Sequence, residues 1–183
     1  DASNATVTTY PGTVHITSSD AVAGLPVNAT LTSGVGTFSL TMNTVGTQSI
    51  TATDTVTGSI TGSQAGIVVN PGAAATIAST SGTPQSALIS TAFATALTAT
   101  VRDSGNNPVP GVSVTFAAPG VGASGTFGGS ATVTSNASGI ATAPTFTANA
   151  TAGSYTVTAT AAGVVTPANF TLTNAAAVAT HFT

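Results

Sequence analysis

The sequence is almost empty of charge. Among its 183 residues, lysine and glutamate are absent, and the only charged side chains are Arg102, Asp1, Asp20, Asp54 and Asp103. Charged residues make up 3% of the chain, against about 25% in an average soluble domain. One arginine cannot neutralise several phosphates, so a nucleic-acid groove is excluded. An anionic membrane surface is not an expected partner, for the same reason.

Cysteine is also absent, so the chain has neither a disulfide framework nor thiol chemistry. No apolar run approaches the roughly 18 residues that a membrane-spanning helix needs. The lack of Glu and Lys, with a single Arg, argues against amphipathic helices. We therefore expect neither membrane insertion nor a helical fold.

The chain is instead rich in Thr, Ala, Ser, Gly and Val, and short segments alternate apolar with polar residues. This period of two indicates half-buried β-strands, and the Gly, Asn, Pro and Ser between them indicate turns. The pattern predicts an all-β sandwich with one dry face per sheet. GTFSLTMN (36–43) and FATALTATV (93–101) are each predicted as one strand, and the Gly-rich stretch 120–130 as a flexible loop or hairpin. The predicted inward-facing residues are Val14, Ile16, Phe38, Leu40, Met42, Phe93, Leu97, Val101, Val112, Val114, Phe116, Tyr155, Val157 and Ala159.

The chain contains an internal repeat of about 100 residues, the size of an immunoglobulin-like sandwich. VGTQSITATDT (45–55) aligns with AGSYTVTATAA (152–162) at an offset of 107, and VHITSSD (14–20) aligns with VTFAAPG (114–120) at an offset of 100. The segments that end the two copies also match, because VNPGAAATIAST (69–80) resembles LTNAAAVATHFT (172–183). We predict a complete domain over 72–174, a partial domain over 1–71 that starts after its second strand, and the first strand of a following or neighbouring unit over 175–183.

Residues 75–101 have no counterpart within residues 1–71, and two explanations stay open. The chain is a window from a long tandem array, or its first domain accepts a strand from a neighbouring molecule by strand addition. The second explanation makes the end of the chain a candidate intermolecular strand, with the residues Ala179, Thr180, His181, Phe182 and Thr183.

The segments VRDSGNNPVPGVSVTF (101–116) and AGSYTVTA (152–159) resemble a bacterial Ig-like domain of the invasin and intimin type, called Big. The likeness covers residues 73–174, and residues 1–71 resemble a sister repeat. The resemblance implies a non-catalytic extracellular repeat in the stalk or fibre of a bacterial surface or secreted protein of the adhesin type. Its implied partners are neighbouring Ig-like repeats or copies of itself, placed end to end.

No catalytic, cofactor or metal site is predicted from the residues. His15 and His181 are far apart in sequence and have no paired acid, and no Ser-His-Asp arrangement is present. Two alternatives to the spacer function remain. One is a self-assembling filament subunit whose C-terminal strand completes a neighbour's partial domain. The other is a carbohydrate-binding module, for which Tyr10 is the one plausible exposed aromatic residue.

The sequence also holds several Asn-X-Ser/Thr sequons, which mark candidate glycosylation sites. Covalent glycans would supply the solubilising coat that the missing charges do not. The alternative is that these asparagines are unmodified turn residues. The candidate acceptors are Asn4, Asn28, Asn136, Asn149 and Asn169.

Overall fold

The computed structural model describes residue 3 and residues 5–176, so Asp1, Asn4 and the candidate strand Ala179–Thr183 lie outside the described residues. All regular structure in the described part is β, which confirms the predicted fold class. Within that part, no helix is long and apolar enough to cross a membrane. The chain divides into two compact units, residues 1–70 (unit 1) and residues 71–183 (unit 2).

Unit 1 is built on one four-stranded antiparallel sheet with the order β2-β1-β3-β4. Its two longest strands, β3 and the edge strand β4, pair with a bulge between Gln48 and Ile50, where Gly66 adopts a positive φ of 75°. Glycine meets this demand without strain, because it has no Cβ. The strands are β1 (Thr13–Ser18), β2 (Ala29–Thr30), β3 (Gly46–Asp54) and β4 (Thr61–Val69).

Unit 2 distributes its strands over a five-stranded sheet, β10-β8-β13-β14-β6, a three-stranded sheet, β11-β7-β5, and the pair β12-β9. All pairs are antiparallel except β14 with β6, which is parallel. The strands are β5 (Thr76–Ser81), β6 (Gln85–Leu88), β7 (Thr98–Arg102), β8 (Ser113–Ala117), β9 (Gly125–Phe127), β10 (Thr132–Thr134), β11 (Ile140–Thr142), β12 (Phe146–Ala148), β13 (Gly153–Ala161) and β14 (Ala168–Ala175).

The hydrophobic core lies in unit 2. Strict alternation turns one row of each long strand inward, so that Val114, Val157 and Phe170 are fully buried while their threonine neighbours face outward. Aromatic rings run through this core in a connected series whose centroids are 4.6–6.4 Å apart, a favourable range for edge and offset contacts. The rings belong to Phe93, Phe146, Phe127, Phe116, Phe170 and Tyr155.

The strand pairing of the two units follows one register. Ile16 lies opposite Ala52 in unit 1, and Phe116 lies opposite Ala159 in unit 2. The sequence offset of 100 relates Ile16 to Phe116, and the offset of 107 relates Ala52 to Ala159, so the two pairs are equivalent. The four strands of unit 1 therefore correspond, in order, to β10, β8, β13 and β14 of unit 2.

Two predicted strands are wrong in extent. Residues 36–43 do not form a strand, although their alternation is regular, because only Thr41 makes a bridge, to Gly24. Residues 93–101 are a strand only from Thr98 onward.

Other details also differ from the sequence-based picture. The Gly-rich stretch 120–130 contains strand β9, which pairs with β12, so it is not simply a flexible loop. Strand β6 was not predicted, since its four residues show no alternation that stands out from a turn.

Candidate functional site

Asp20 closes the loop after β1 with a nearly buried carboxylate. Its Oδ2 accepts hydrogen bonds from the backbone N–H groups of Asn43 (2.6 Å) and Thr44 (3.0 Å). Its Oδ1 accepts from the Thr44 hydroxyl (2.7 Å) and from the Val22 N–H (3.1 Å). The Thr44 N–H is the strongest of the influences that together lower the pKa of Asp20 to about 2, against the opposing effect of burial. The carboxylate is thus a structural clamp between two loops of unit 1.

We expect unit 1 to lose stability in acid through this clamp. Because the folded pKa of Asp20 is about 2 and an unfolded aspartate titrates near about 3.9, the contribution is complete above about pH 5 and disappears as the pH falls from about 4 to 2. Asp20→Asn should lower the urea midpoint of unit 1 at pH 7 and flatten its dependence between pH 4 and pH 2. Tyr10 fluorescence in a Tyr155→Phe background reports unit 1, since the chain has two tyrosines. Equal pH slopes in the parent and the variant would contradict this role.

Tyr10 is not the exposed aromatic platform that the sequence suggested. The side chain is half-buried, and its hydroxyl donates a 2.8 Å hydrogen bond to Asp54 Oδ2. That bond raises the pKa of Tyr10. Asp54 in turn accepts backbone hydrogen bonds from Thr57 and Val56, which lower its pKa together with the tyrosine hydroxyl. The pair fixes the loop after β3.

In unit 2, Asp103 binds backbone N–H groups through its carboxylate, as Asp20 and Asp54 do in unit 1. It is nearly buried, and it accepts hydrogen bonds from the backbone N–H groups of Gly72 (2.9 Å) and Asn107 (2.8 Å). Burial opposes ionisation, but these donors outweigh it and lower the pKa of Asp103. Asp103 is therefore a turn carboxylate that accepts backbone N–H groups.

A buried amide cluster joins other segments of unit 2, and its one sign in the sequence is the sequon at Asn149. Asn174 is 1% exposed, and its Nδ2 donates to the carbonyl oxygens of Ser124 and Thr151 and to Asn149 Oδ1, over 2.8–3.0 Å. The Tyr155 hydroxyl donates to Asn174 Oδ1 at 3.0 Å. Burial raises the pKa of Tyr155 to about 12. The partners come from three separate segments of unit 2, at residue 124, at residues 149–155 and at residue 174, so the cluster holds these segments together.

The described sequons differ in how far their amides are engaged. Asn149 is half-buried, and its Nδ2 donates to the Gly122 carbonyl at 2.8 Å, so a glycan there would break the amide cluster. Asn136 is exposed and uses only Oδ1, which accepts backbone N–H groups in its turn. Asn28 is exposed, with Oδ1 2.7 Å from His15 Nδ1, and Asn169 faces outward on β14.

Among residue 3 and residues 5–176, no group of three His, Cys, Asp or Glu side chains could hold a metal ion. In the same range, every buried polar side-chain atom has a hydrogen-bond partner. Each described aromatic side chain is buried or half-buried. The polar clusters of both units thus act on the fold itself.

The antiparallel pairing and the packed strands of unit 2 define an immunoglobulin-like sandwich. The family model for the bacterial Ig-like domain (group 1) matches residues 77–173, more than half of the chain, and the chain belongs to this family. A search of curated proteins finds no match.

Solved structures of similar fold include bacterial surface proteins. The D00–D0 domains of intimin are 15% identical, with a TM-score of 0.47, over 90% of this chain and 86% of that one. InvD of Yersinia pseudotuberculosis is 20% identical, with a TM-score of 0.48, over 93% of this chain and 49% of that one. Domains 4–9 of the surface layer protein SbsC are 18% identical, with a TM-score of 0.44, over 95% and 23%. The family assignment rests on the family model and not on these structures.

Proposed function

We propose that this chain is a non-catalytic structural repeat of a bacterial surface or secreted protein, where it serves as an extracellular spacer in a stalk or fibre. Its membership of the bacterial Ig-like family carries this proposal. The polar clusters support it, because Asp20, Asp54 and Asn174 use their hydrogen bonds to hold segments of their own unit together.

The strand directions of unit 2 suit a spacer that bears load. Strand β6 lies near the start of the unit, and it pairs in parallel with the last strand, β14, from Leu172 opposite Gln85 to Ala175 opposite Leu88. When the two ends of the unit are pulled apart, parallel neighbours must slide lengthwise past each other. The hydrogen bonds that join them are then loaded together and not one after another. Such an arrangement resists extension more than one that opens from a single end.

We expect the full chain, stretched by single-molecule force spectroscopy between flanking handles, to show one strong unfolding event for unit 2. Residues 71–176 at about 3.5 Å each should lengthen the chain by on the order of 35 nm. Ile89→Pro removes the N–H that donates to the Ala175 carbonyl at 2.9 Å, and should lower the unfolding force without changing that length.

The matched control for this experiment is Ile89→Ala, which loses the same apolar packing and keeps the N–H. If the proline and alanine variants unfold at the same force, the β6–β14 pairing does not carry the load. If unit 2 extends without a distinct event, the spacer function itself fails.

Assembly by strand exchange is a second candidate function, because within residue 3 and residues 5–176 unit 1 has a depression on its sheet with Val14 and Ala52 in the lining, and its strand β4 has an edge without a partner strand. A carbohydrate-binding role has no such support, since Tyr10 is engaged with Asp54. Glycosylation stays a prediction that peptide mass spectrometry would test. The described geometry favours Asn28, Asn136 and Asn169 over Asn149, and Asn4 lies outside the described residues.

A further inference from the structure

Unit 1 leaves much of its apolar surface uncovered. Its one buried apolar side chain is Ile16, while the other buried apolar side chains of the described residues all lie in unit 2. The described part of unit 1 nevertheless exposes eight large apolar side chains, against three in unit 2, and two of the eight, Val7 and Ile60, line a groove. Those of unit 1 are Val7, Val22, Leu25, Val27, Val35, Val56, Ile60 and Val68.

A groove runs along one face of the unit 1 sheet. It has a volume of about 460 Å³ and is lined by Val7, Tyr10, Leu31, Gly34 and Ile60. A smaller depression shares part of this lining and adds residues of the sheet floor, namely Val14, Ala52 and Gly62.

The same floor is covered in unit 2. Ala159, the equivalent of half-buried Ala52, is fully buried, and Ala168, the equivalent of exposed Gly62, is 4% exposed. They share one core with Ile77 of β5 and with Ala99 and Val101 of β7. Strands β5 and β7 thus carry the aliphatic row that packs at this level of the core in unit 2. The described part of unit 1 contains no strand equivalent to either.

The two units also differ along the outer side of two equivalent strands, β14 in unit 2 and β4 in unit 1. In unit 2, strand β6 pairs with Leu172–Ala175 of β14. Gln48 pairs with Ile67 in unit 1, and its equivalent Tyr155 pairs with Leu172 in unit 2. Ile67 is therefore the equivalent of Leu172, and the segment of unit 1 that corresponds to residues 172–175 is 67–70. Among the described residues, the outer edge of β4 has no partner strand. An unpaired edge is a template for another strand.

We propose that this face and edge of unit 1 form an acceptor site for a strand segment of the β5–β6–β7 type, contributed by another bacterial Ig-like repeat. The proposal rests on the proposed assembly function and names its partner. The partner segment is uncharged, and it alternates Thr or Ser with Ile, Leu, Val or Ala, so that one aliphatic row enters the groove while the backbone pairs with β4.

Charge on the acceptor side fits such a partner. The acidic side chains of described unit 1 are Asp20 and Asp54, and hydrogen bonds within the unit already engage both carboxylates. Described unit 1 contains no Lys or Arg. An ionic partner would gain nothing at this face, whereas an apolar strand removes exposed apolar area from water.

The test is to add a fluorescent synthetic peptide of residues 73–101, which is uncharged and spans β5, β6 and β7 as far as Val101, to the full 183-residue chain. We expect saturable binding by fluorescence anisotropy. We also expect hydrogen exchange to slow by at least about tenfold at residues 67–70, where a β6-type strand would pair. A control peptide carries Leu97→Asp and Val101→Asp, and should not bind.

Gly62→Asp places a charge on the acceptor floor, where an added Cβ has open space within the isolated unit. Its matched control is Gly58→Asp, which also meets open space but lies in the turn between β3 and β4. Peptide binding should weaken at least about tenfold in the first variant, because a buried charge without a partner is costly. It should be unchanged in the second.

Absence of saturable binding, or binding without protection at residues 67–70, would overturn the proposal. Equal binding by the two aspartate variants would do so as well. If the chain alone associates with concentration-dependent protection at residues 67–70, the occupant is a second copy and not a separate β5–β7 segment. None of these outcomes touches the unit 2 force measurement, so the spacer function and the acceptor site can fail separately.

Discussion

Phe170→Ala is expected to destabilise unit 2 by about 3–5 kcal/mol, the usual cost of removing a buried phenylalanine ring. The ring is fully buried, and its centroid lies 5.8 Å from that of Phe116. Its removal would therefore leave a cavity beside Phe116 at the end of the aromatic series, where neighbouring strands are held in register and cannot collapse. Tyr155 fluorescence during urea unfolding, in a Tyr10→Phe background, reports unit 2 alone.

The chain supplies its own control. Gln64 pairs with Ile50 in unit 1, and Phe170 pairs with Val157, the equivalent of Ile50, in unit 2. Gln64 and Phe170 therefore occupy the same place in the repeat. Gln64 is exposed, and Gln64→Ala should change the stability of unit 1 by no more than about 0.5 kcal/mol. A loss of several kcal/mol at Gln64 would mean that the unit 1 face is already covered in solution. A small loss at Phe170 would mean that the core of unit 2 repacks.

Sequence pattern predicted those parts of the fold where alternation and repetition agree. VSVTF and YTVTA alternate strictly, and each aligns with a second copy in unit 1, so strand, face and register could all be inferred. The buried Val114 and Val157 bear this out. Regular alternation alone was not enough at residues 36–43, because a strand needs a partner for its backbone groups, and Thr41 alone finds one.

The features that the sequence did not reveal are those that arise only when distant segments meet. Strand β6 is short, and it exists because the β14 edge lies beside it. Asn149 appeared as a sequon, and nothing near it in sequence shows that Asn174 packs against it. The Asp20 clamp joins backbone groups that lie 23 and 24 residues away. A polar residue in a polar stretch looks like a turn residue until its partners are known.

Asn174→Ala is expected to cost unit 2 about 2–4 kcal/mol, a large loss for a change that adds no charge and removes little apolar area. The mutation takes away the acceptor of the Tyr155 hydroxyl, and losing the partner of a group in this environment costs about 1–3 kcal/mol. It also removes one donor from oxygens that keep another, because the Asn149 N–H still donates to the Ser124 carbonyl and the Thr151 N–H to Asn149 Oδ1. The Tyr155 hydroxyl loses its acceptor, while the Ser124 and Thr151 carbonyls and Asn149 Oδ1 lose a donor. Hydrogen exchange at the central amides of β13 and β14 measures the loss of stability.

The double variant separates this cause from simple loss of packing. Tyr155→Phe removes the stranded hydroxyl, so its cost should be smaller in the Asn174→Ala background than in the parent. The pKa of the Tyr155 phenol is a second measurement of the same effect, since burial raises it to about 12. If Asn174→Ala opens the cluster to water, that pKa should fall toward about 10 in an alkaline absorbance titration. If the two substitutions add without coupling and the titration does not move, the cluster is not a cooperative network, and Asn174 acts only by filling space.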